Sequence, residues 1–403
     1  MNKPTFFIST IALALLWSCV KNEKAEILSI YQEANSKIFP DSVGLVSNTI
    51  IKIPIDKNIS LAAIRNTHVL LSNDTTYLVY YDFRSNQAFF HPFYHQGGLH
   101  RITLPKEGPG SLVPTYGNKI RPIAKDLAIF YERKTGKLKI YSNDTLQDLA
   151  SLPNINDKDF DQLEFGYQGY ELSYPNEMLF RDSILVMSLT QQISGLLEAG
   201  YETINNLLIY NLKTESFSTK AVLPDFYLDK FWGKNDAVKF NLFSAYGQTK
   251  LVYGFGSQAG VWFEGDTSES LHFIGSKYFD RIEPAPENLK NQPPKASWKW
   301  TATTPRYEDI IYNDSSGHYY RIALHGMDPK EYDEGKQNSD FSLIIFNRTG
   351  LKIGEVLFEK GMQKYDIYKC FAINGKFYLM RKDLYNNESD NYFYFEEFSE
   401  TLL

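Results

Sequence analysis

Cysteine is almost absent from this chain: Cys19 and Cys370 are the only two in 403 residues. With the first chemically occupied, as argued below, no intramolecular disulfide is available, and stability must come from core burial even in an oxidising compartment. Clustered positive charge is missing as well. With 42 basic against 48 acidic side chains and a net charge of −6, the chain lacks the footprint of a nucleic-acid binder. No apolar run reaches the length of about 20 residues that spans a bilayer. Long amphipathic helices are hard to find, and the best candidate, Asn22 to Ile38, is short and has no clean apolar stripe. Catalytic signatures are lacking too: there is no Gly-x-Ser-x-Gly elbow, no Gly-x-Gly-x-x-Gly and no Gly-Lys-Ser/Thr phosphate loop.

What is present starts at the N-terminus. Lys3 precedes an apolar stretch of twelve residues, Phe6 to Trp17, interrupted only by Ser9 and Thr10. That length suits the apolar region of an export signal. Leu16-Trp17-Ser18-Cys19 resembles the lipobox of bacterial lipoproteins. The resemblance implies a signal peptide over 1–18, lipid on Cys19 and attachment to a membrane through it, each buried CH₂ contributing about 0.8 kcal/mol. The polar residues that follow read as a tether over 19–44. Charged residues directly behind the Cys resemble the surface-export signals of Bacteroidetes lipoproteins, which implies an outer-membrane lipoprotein facing the periplasm or the cell surface.

Tyr and Phe number 28 each, an enrichment that favours strands. A hairpin-like pattern recurs over 78–92, 138–153, 207–224, 261–275, 343–358 and 392–403: an apolar run, an aromatic, a turn-forming polar residue and a second β-prone run. Tyr81, Tyr141, Tyr210, Phe263, Phe346 and Phe395 are taken as equivalent, giving intervals of 60, 69, 53, 83 and 49 residues. Further strand signals fall between them, at 126–133, 182–189, 250–256, 308–314, 318–324, 369–375 and 376–382. About four strands per unit is the content of one propeller blade. The expected fold is therefore all-β, a six-bladed β-propeller forming one domain over 45–403. A seventh blade inside the 83-residue interval and a pair of β-sandwiches are the alternatives. The run TIIKIPI (49–55) is expected to close the ring by pairing with the terminal YFYFEEF strand.

The lipobox, the aromatic hairpins and the stretch KEGPGSLVPTYGN (106–118) together resemble a family of Bacteroidetes lipoproteins of unknown function, six-bladed propellers of the TolB-like or NHL-like kind. Glu107-Gly108-Pro109-Gly110 matches the Gly-Pro-Gly core of a segment common in related groups, with Ser111 in place of its acidic residue.

Gly108-Pro109-Gly110 reads best as a sharp turn. His91, His95 and His100 lie close in sequence, but no neighbouring carboxylate completes a metal set. Asp157, Asp159 and Asp161 have the alternate spacing of a calcium loop, yet Gln162 and Gln168 replace its Gly and its bidentate Glu, so a solvated acidic loop is favoured over calcium. Cys370 is expected to pack as a small apolar group, and the pair Glu396-Glu397 is no glycosidase dyad on sequence alone. The strongest candidate is the Pro-rich segment 283–309, expected to be a long loop whose Trp298 and Trp300 point the same way if extended and so could stack on a sugar or grip a partner. These features point to a cell-envelope protein that binds a glycan or an envelope protein. A glycan-acting hydrolase or lyase with its site at the channel mouth is the alternative. No catalytic residue, cofactor or metal site is assigned.

Overall fold

The computed structural model describes residues 41–55, 59, 64–72, 75–94, 98–108, 110–115, 117–152, 171–172, 178–190, 205–222, 230–232, 242–246, 250–265, 269–279, 282–336, 338–385 and 392–403. Cys19 and the acidic triplet Asp157, Asp159 and Asp161 lie outside them. None of the helices among the described residues is long and apolar enough to cross a membrane.

The described residues form six antiparallel sheets. After β1 (Val43–Pro54), blade 1 holds β2 (Ile64–Ser72), β3 (Thr75–Asp82), β4 (Gln87–Pro92) and β5 (His100–Thr103). Blade 2 holds β6 (Lys119–Ala124), β7 (Leu127–Glu132), β8 (Lys137–Ser142) and β9 (Thr145–Ser151). In blade 3 the first strand comes in two pieces, β10 (Glu171–Leu172) and β11 (Met178–Arg181), both paired with β12 (Ile184–Thr190), followed by β13 (Asn205–Asn211) and β14 (Ser216–Val222). Blade 4 runs β15 (Leu242–Tyr246), β16 (Leu251–Phe255), β17 (Gly260–Glu264) and β18 (Glu269–Phe273). Blade 5 runs β19 (Arg306–Asn313), β20 (His318–Leu324), β21 (Phe341–Phe346) and β22 (Lys352–Phe358). Blade 6 has β23 (Tyr365–Ile373), β24 (Lys376–Arg381) and β25 (Tyr392–Leu402), and its fourth strand is β1.

The turn chemistry explains the hairpins locally. Asn143-Asp144 and Asn374-Gly375 are two-residue connections with positive φ at both positions, the geometry that matches the twist of the flanking strands. In blade 1, the Asp82 carboxylate accepts from the backbone N–H groups of Arg84 and Ser85 at 3.1 and 3.2 Å, bending the chain between β3 and β4.

The first strands touch in the cyclic order β2, β6, β11, β15, β19, β23 and back to β2, so they surround a central axis. Core side chains lie between the blades rather than inside a single layer. Ile53, Phe89, Phe371 and Phe393 join blades 1 and 6, Phe90 and Phe130 join blades 1 and 2, and Tyr320, Phe341 and Phe377 join blades 5 and 6. Each sheet thereby buries both faces against its neighbours, which two separately cored sandwiches would not do. Arg321 on β20 adds a polar lock: its guanidinium donates to the carbonyls of Phe255, Gln258, Ala259 and Ile274 in blade 4 at 2.8–3.2 Å and stacks over Tyr307 at 3.9 Å.

Three expectations need correction. The segment 392–403 is not a hairpin but the single strand β25, whose partner comes from the other end of the chain. The segment 78–92 holds the second and third strands of its blade, whereas the next four hairpins hold the third and fourth, so Tyr81 is not equivalent to Tyr141. The 83-residue interval from Phe263 to Phe346 holds no seventh blade: it contains a 3₁₀ turn (Glu287–Asn291) and α1 (Pro294–Thr303) between blades 4 and 5, and α2 (Pro329–Asp333) within blade 5. The domain also begins slightly earlier than position 45, because β1 starts at Val43 and Ser42 already donates its N–H to Ile353.

Closure rests on eleven residue pairs between β1 and β25, with one irregularity between Ser47 and Thr49. Ile53, 1% exposed, anchors β1 in the core shared by blades 1 and 6. Ile53→Ala is expected to cost about 2–5 kcal/mol, by lost burial plus the cavity left behind, read as a lower urea midpoint at unchanged slope. The exposed Ile50→Ala on the same strand is expected to stay within about 0.5 kcal/mol of the parent.

Candidate functional site

In a four-stranded antiparallel blade, the start of the first strand, the link from second to third and the exit of the fourth share one end. Among the described residues every helix lies at that end. α1 precedes β19, α2 links β20 to β21, α3 (Gly361–Lys364) precedes β23, and a 3₁₀ turn (Lys382–Leu384) links β24 to β25. They form one connected cap over blades 5 and 6. The Met327 N–H donates to Ala302 at the end of α1, Lys299 bridges to Asp333 of α2 at 2.6 Å, Asn338 donates to Glu331, and the Asp340 carboxylate accepts from the Lys360 N–H beside α3.

At this end of the propeller three first strands depart from regular pairing, two of them beneath the cap and one in the adjoining blade 1. β2 carries one extra residue between Ile64 and Thr67, β19 one between Tyr307 and Ile310, and β23 three between Asp366 and Cys370. These three irregularities lie within the first few residues of a first strand, in three blades that adjoin around the axis, whereas the one in β6, between Pro122 and Ala124, lies at that strand's far end. A bulge re-aims side chains and interrupts the ladder, and bulges concentrate beside functional sites. The polar residues in or at these bulges are Glu308 and Asp309 on β19 and Asp366, Tyr368 and Lys369 on β23.

Arg306 and Glu308 are buried at the base of this cluster, with Nε to Oε1 at 2.5 Å. Burial works to lower the Arg306 pKa, but the Glu308 carboxylate and the Tyr368 hydroxyl outweigh it and hold the guanidinium charged. Arg306 also donates to the Thr301 carbonyl of α1 at 3.2 Å, and the Tyr368 hydroxyl stands 3.5 Å from Glu308 Oε1. Glu308 Oε2 and Thr301 Oγ1 are buried and meet no hydrogen-bonding partner among the described residues. Such groups carry a desolvation cost that a donor from a ligand or water would relieve. Tyr368 continues the chain of contacts: its N–H donates to Asp366 Oδ1 at 3.1 Å, and Asp366 pairs with Lys369.

Farther out on blade 6, Glu396 takes Arg381 at 2.7 Å, Tyr365 at 2.9 Å and Ser47 at 2.7 Å. Burial tends to raise its pKa, but these hydrogen bonds and the Lys364 charge win and lower it below the ordinary carboxylate range. Its sequence neighbour Glu397 accepts from Tyr378 and Asn48, so the two carboxylates serve different faces of β25 and do not form a dyad.

The tryptophans do not share a face. Pro294 is tolerated in the first turn of α1, where its missing N–H costs nothing, and residues two apart on a helix diverge by about 200°. Trp298 is 50% exposed, while Trp300 is partly buried against the core of blades 4 and 5. The glycine segment forms a turn between blades 1 and 2, Gly108 and Gly110 both having positive φ, and a Cβ on Gly110 would stand 2.6 Å from the Leu146 carbonyl oxygen. His91 is buried with its Nε2 2.9 Å from the Tyr80 hydroxyl, His100 stands 3.4 Å from Asp126, and His95 lies outside the described residues. Among the described residues no group of three His, Cys, Asp or Glu converges as a metal site. Cys370 is buried, with its thiol 3.0 Å from the Ile367 carbonyl.

A second polar cluster ties blade 5 to the exit of blade 4. Glu355 accepts from the Ser276 and Ser342 hydroxyls, each at 2.6 Å, and from Lys352 at 2.6 Å, and Ser342 lies 3.2 Å from His325 Nε2. Burial lowers the His325 pKa, only partly opposed by Glu355 and Asp340. This cluster sits on outer strands, away from the axis.

Both clusters make testable statements. Arg306→Met alone is expected to cost about 3–5 kcal/mol by leaving the Glu308 charge buried and unpaired, whereas Arg306→Met with Glu308→Gln should recover most of it, as read from denaturant midpoints. Because the folded-state pKa of His325 lies below its unfolded value of about 6.5, the unfolded chain binds the extra proton. Its stabilisation is complete above that value and is lost as pH falls below it, so His325→Gln should flatten the decline of melting temperature between about pH 7 and 5.

No curated protein matches this chain. A solved structure of a member of the DUF4221 family from Bacteroides vulgatus is 18% identical, covers 90% of this chain and 99% of its own, and superposes with a TM-score of 0.70. An exported-protein candidate from Bacteroides fragilis is 8% identical over 91% of this chain and 97% of its own, with a TM-score of 0.48. The first likeness agrees with the propeller architecture. The model of the family described as a domain of unknown function, DUF4221, matches residues 66–356, from the first blade to the last strand of the fifth, and the chain belongs to that family.

Proposed function

We propose that this protein is a lipid-anchored binding protein of the cell envelope that takes a glycan or an envelope partner at the channel mouth of blades 5, 6 and 1. The observation that carries the reading is the alignment of three first-strand bulges in adjoining blades, at the end of the propeller that carries the helical cap. Sequence alternation alone does not require them. Their effect is to turn Glu308, Asp309, Tyr368 and Lys369 out of the regular ladder. Trp298 on α1 supplies an exposed aromatic face at the same end of the propeller, of the kind that stacks on sugars, while Trp300 holds the helix against the core.

The lipobox-like Leu16-Trp17-Ser18-Cys19 supports anchoring through Cys19, with the polar stretch to residue 40 as a spacer that leaves the propeller free above an outer-membrane surface. A glycan-acting hydrolase or lyase is the second reading, drawn from the carboxylates Glu308, Asp309 and Asp366 at the mouth. Against it, Glu308 and Asp366 are each already engaged by a cation.

Cys19→Ala is expected to move the protein from the detergent phase to the aqueous phase and to abolish incorporation of labelled fatty acid. Retention of label would overturn the anchor. A screen of the full chain against envelope glycans is expected to yield ligands whose affinity falls in Trp298→Ala and Tyr368→Phe while the sugar is recovered intact. Cleaved products would favour the enzyme reading, and binding untouched by both variants would remove the mouth from the site.

A further inference from the structure

The polar groups at the mouth are unequally balanced. Arg306 is matched by Glu308, and in the outer part of blade 6 Arg381 and Lys364 are matched by Asp383 and Glu396. The bulge of β23 is different. Asp366 is the carboxylate there, Lys369 already pairs with it, and Lys382 is a second cation beside them. The pairing of β23 with β24 explains the proximity: Tyr365 faces Arg381 and Asp366 faces Met380, so Lys382 follows directly from the strand end that borders the bulge. Lys382 lies in the 3₁₀ turn of the cap, is partly buried, and its ammonium has no carboxylate or carbonyl acceptor among the described residues. Burial lowers its pKa, and the neighbouring Lys369 lowers it further against the partial compensation of Asp366.

Two lysines share one carboxylate here, so the bulge carries one positive charge in excess, and burial makes that excess costly for Lys382 until a further anion joins it. Its excess charge also opposes the overall sign of a chain that carries −6. A second observation extends the site beyond a lone charge. Tyr368, inside the same bulge, leads from Asp366 to Glu308, whose buried Oε2 meets no donor among the described residues, and Thr301 Oγ1, in the residue whose carbonyl Arg306 also holds, is likewise unmatched among them. The mouth therefore presents two lysines against one carboxylate at one side and, among the described residues, unmet hydrogen-bonding oxygens at the other.

We propose that the β23 bulge is an anion subsite in which Lys369 and Lys382 take the acidic group of an acidic sugar whose hydroxyls donate to Glu308 Oε2 and Thr301 Oγ1. The inference rests on the reading of the channel mouth as the binding site and adds the chemical class of the ligand. A neutral sugar would meet the acceptors but leave the cations unmatched. A small inorganic anion would meet the cations and leave the acceptors unmatched.

Calorimetric titration of the full chain in detergent with D-glucuronate, D-glucose 6-phosphate, D-glucose and inorganic phosphate tests this. One of the two acidic sugars is expected to bind at least about tenfold more tightly than glucose and than phosphate, and whichever binds better names the acid. Lys382→Gln should weaken that binding at least about tenfold, Lys382→Arg should retain most of it, and added salt should weaken it in the parent more than in Lys382→Gln. Thermal melting of each variant without ligand separates a folding defect from a binding defect. Equal affinity for glucose and the acidic sugars, unchanged affinity in Lys382→Gln, or absence of binding by either acidic sugar at millimolar concentration overturns the proposal. If neutral glycans bind and respond to Tyr368→Phe but not to Lys382→Gln, the mouth remains the site and the anion subsite alone is wrong. If binding responds to neither, both readings fail.

Discussion

The fold depends on one ladder. β1 and β25 come from opposite ends of the described chain, and their eleven paired positions turn an open row of blades into a ring. Without β1 the last blade would have three strands and expose the unpaired edge of β25, an invitation to pairing with another chain. With it, the outward edge of the sheet is β1, where Lys52 lies over the rings of Tyr392 and Tyr394 at 5.3 Å. The aromatic cores between blades depend on the same closure, because the cluster built from Ile53, Tyr80, Phe371 and Phe393 contains residues from both chain ends.

A closed ring also decides where function can lie. Sheet faces are consumed by packing against neighbouring blades, and edges by pairing, so freedom to vary is left at the two ends of the channel. This chain spends that freedom unevenly. The end where first strands begin carries all the described helices, three bulged first strands and the polar run from Arg306 through Glu308, Tyr368 and Asp366 to Lys369. Bulging matters because a first strand in register would point its side chains into the packed faces on either side. The extra residues in β19 and β23 release charged groups from that arrangement without breaking the blade.

Much of this architecture was legible in the residues. Runs such as YLVYYD and FSLIIF are buried on both faces, and Asn-Gly or Asp-containing turns between such runs mark hairpins directly, so the second and third strands of most blades could be read off. The first strands were harder. The signal at 308–314 begins inside the β19 bulge and misses Arg306 and Tyr307, and the signal at 369–375 begins at the end of the β23 bulge, because an extra residue breaks the period on which strand recognition relies. The shift of the first repeat has a similar cause, since every antiparallel hairpin looks alike locally and nothing in 78–92 states its distance from the axis. α1 was hidden by its two prolines and by an apolar face too short to show a period, and so Trp298 and Trp300 read as a pair.

The sequence by itself determined the all-β class, the sixfold recurrence, the partner of the closing strand and the lipobox-like Cys19, because each is written in local periodicity, turn residues or a short motif. Tertiary structure alone decided which polar residues meet. Glu308 and Tyr368 are sixty positions apart, and only the pairing of β23 with β24 sets Lys382 just past the strand end where Arg381 faces Tyr365. Which charges meet is a property of distance in space, and chain order carries no record of it until the ring has closed.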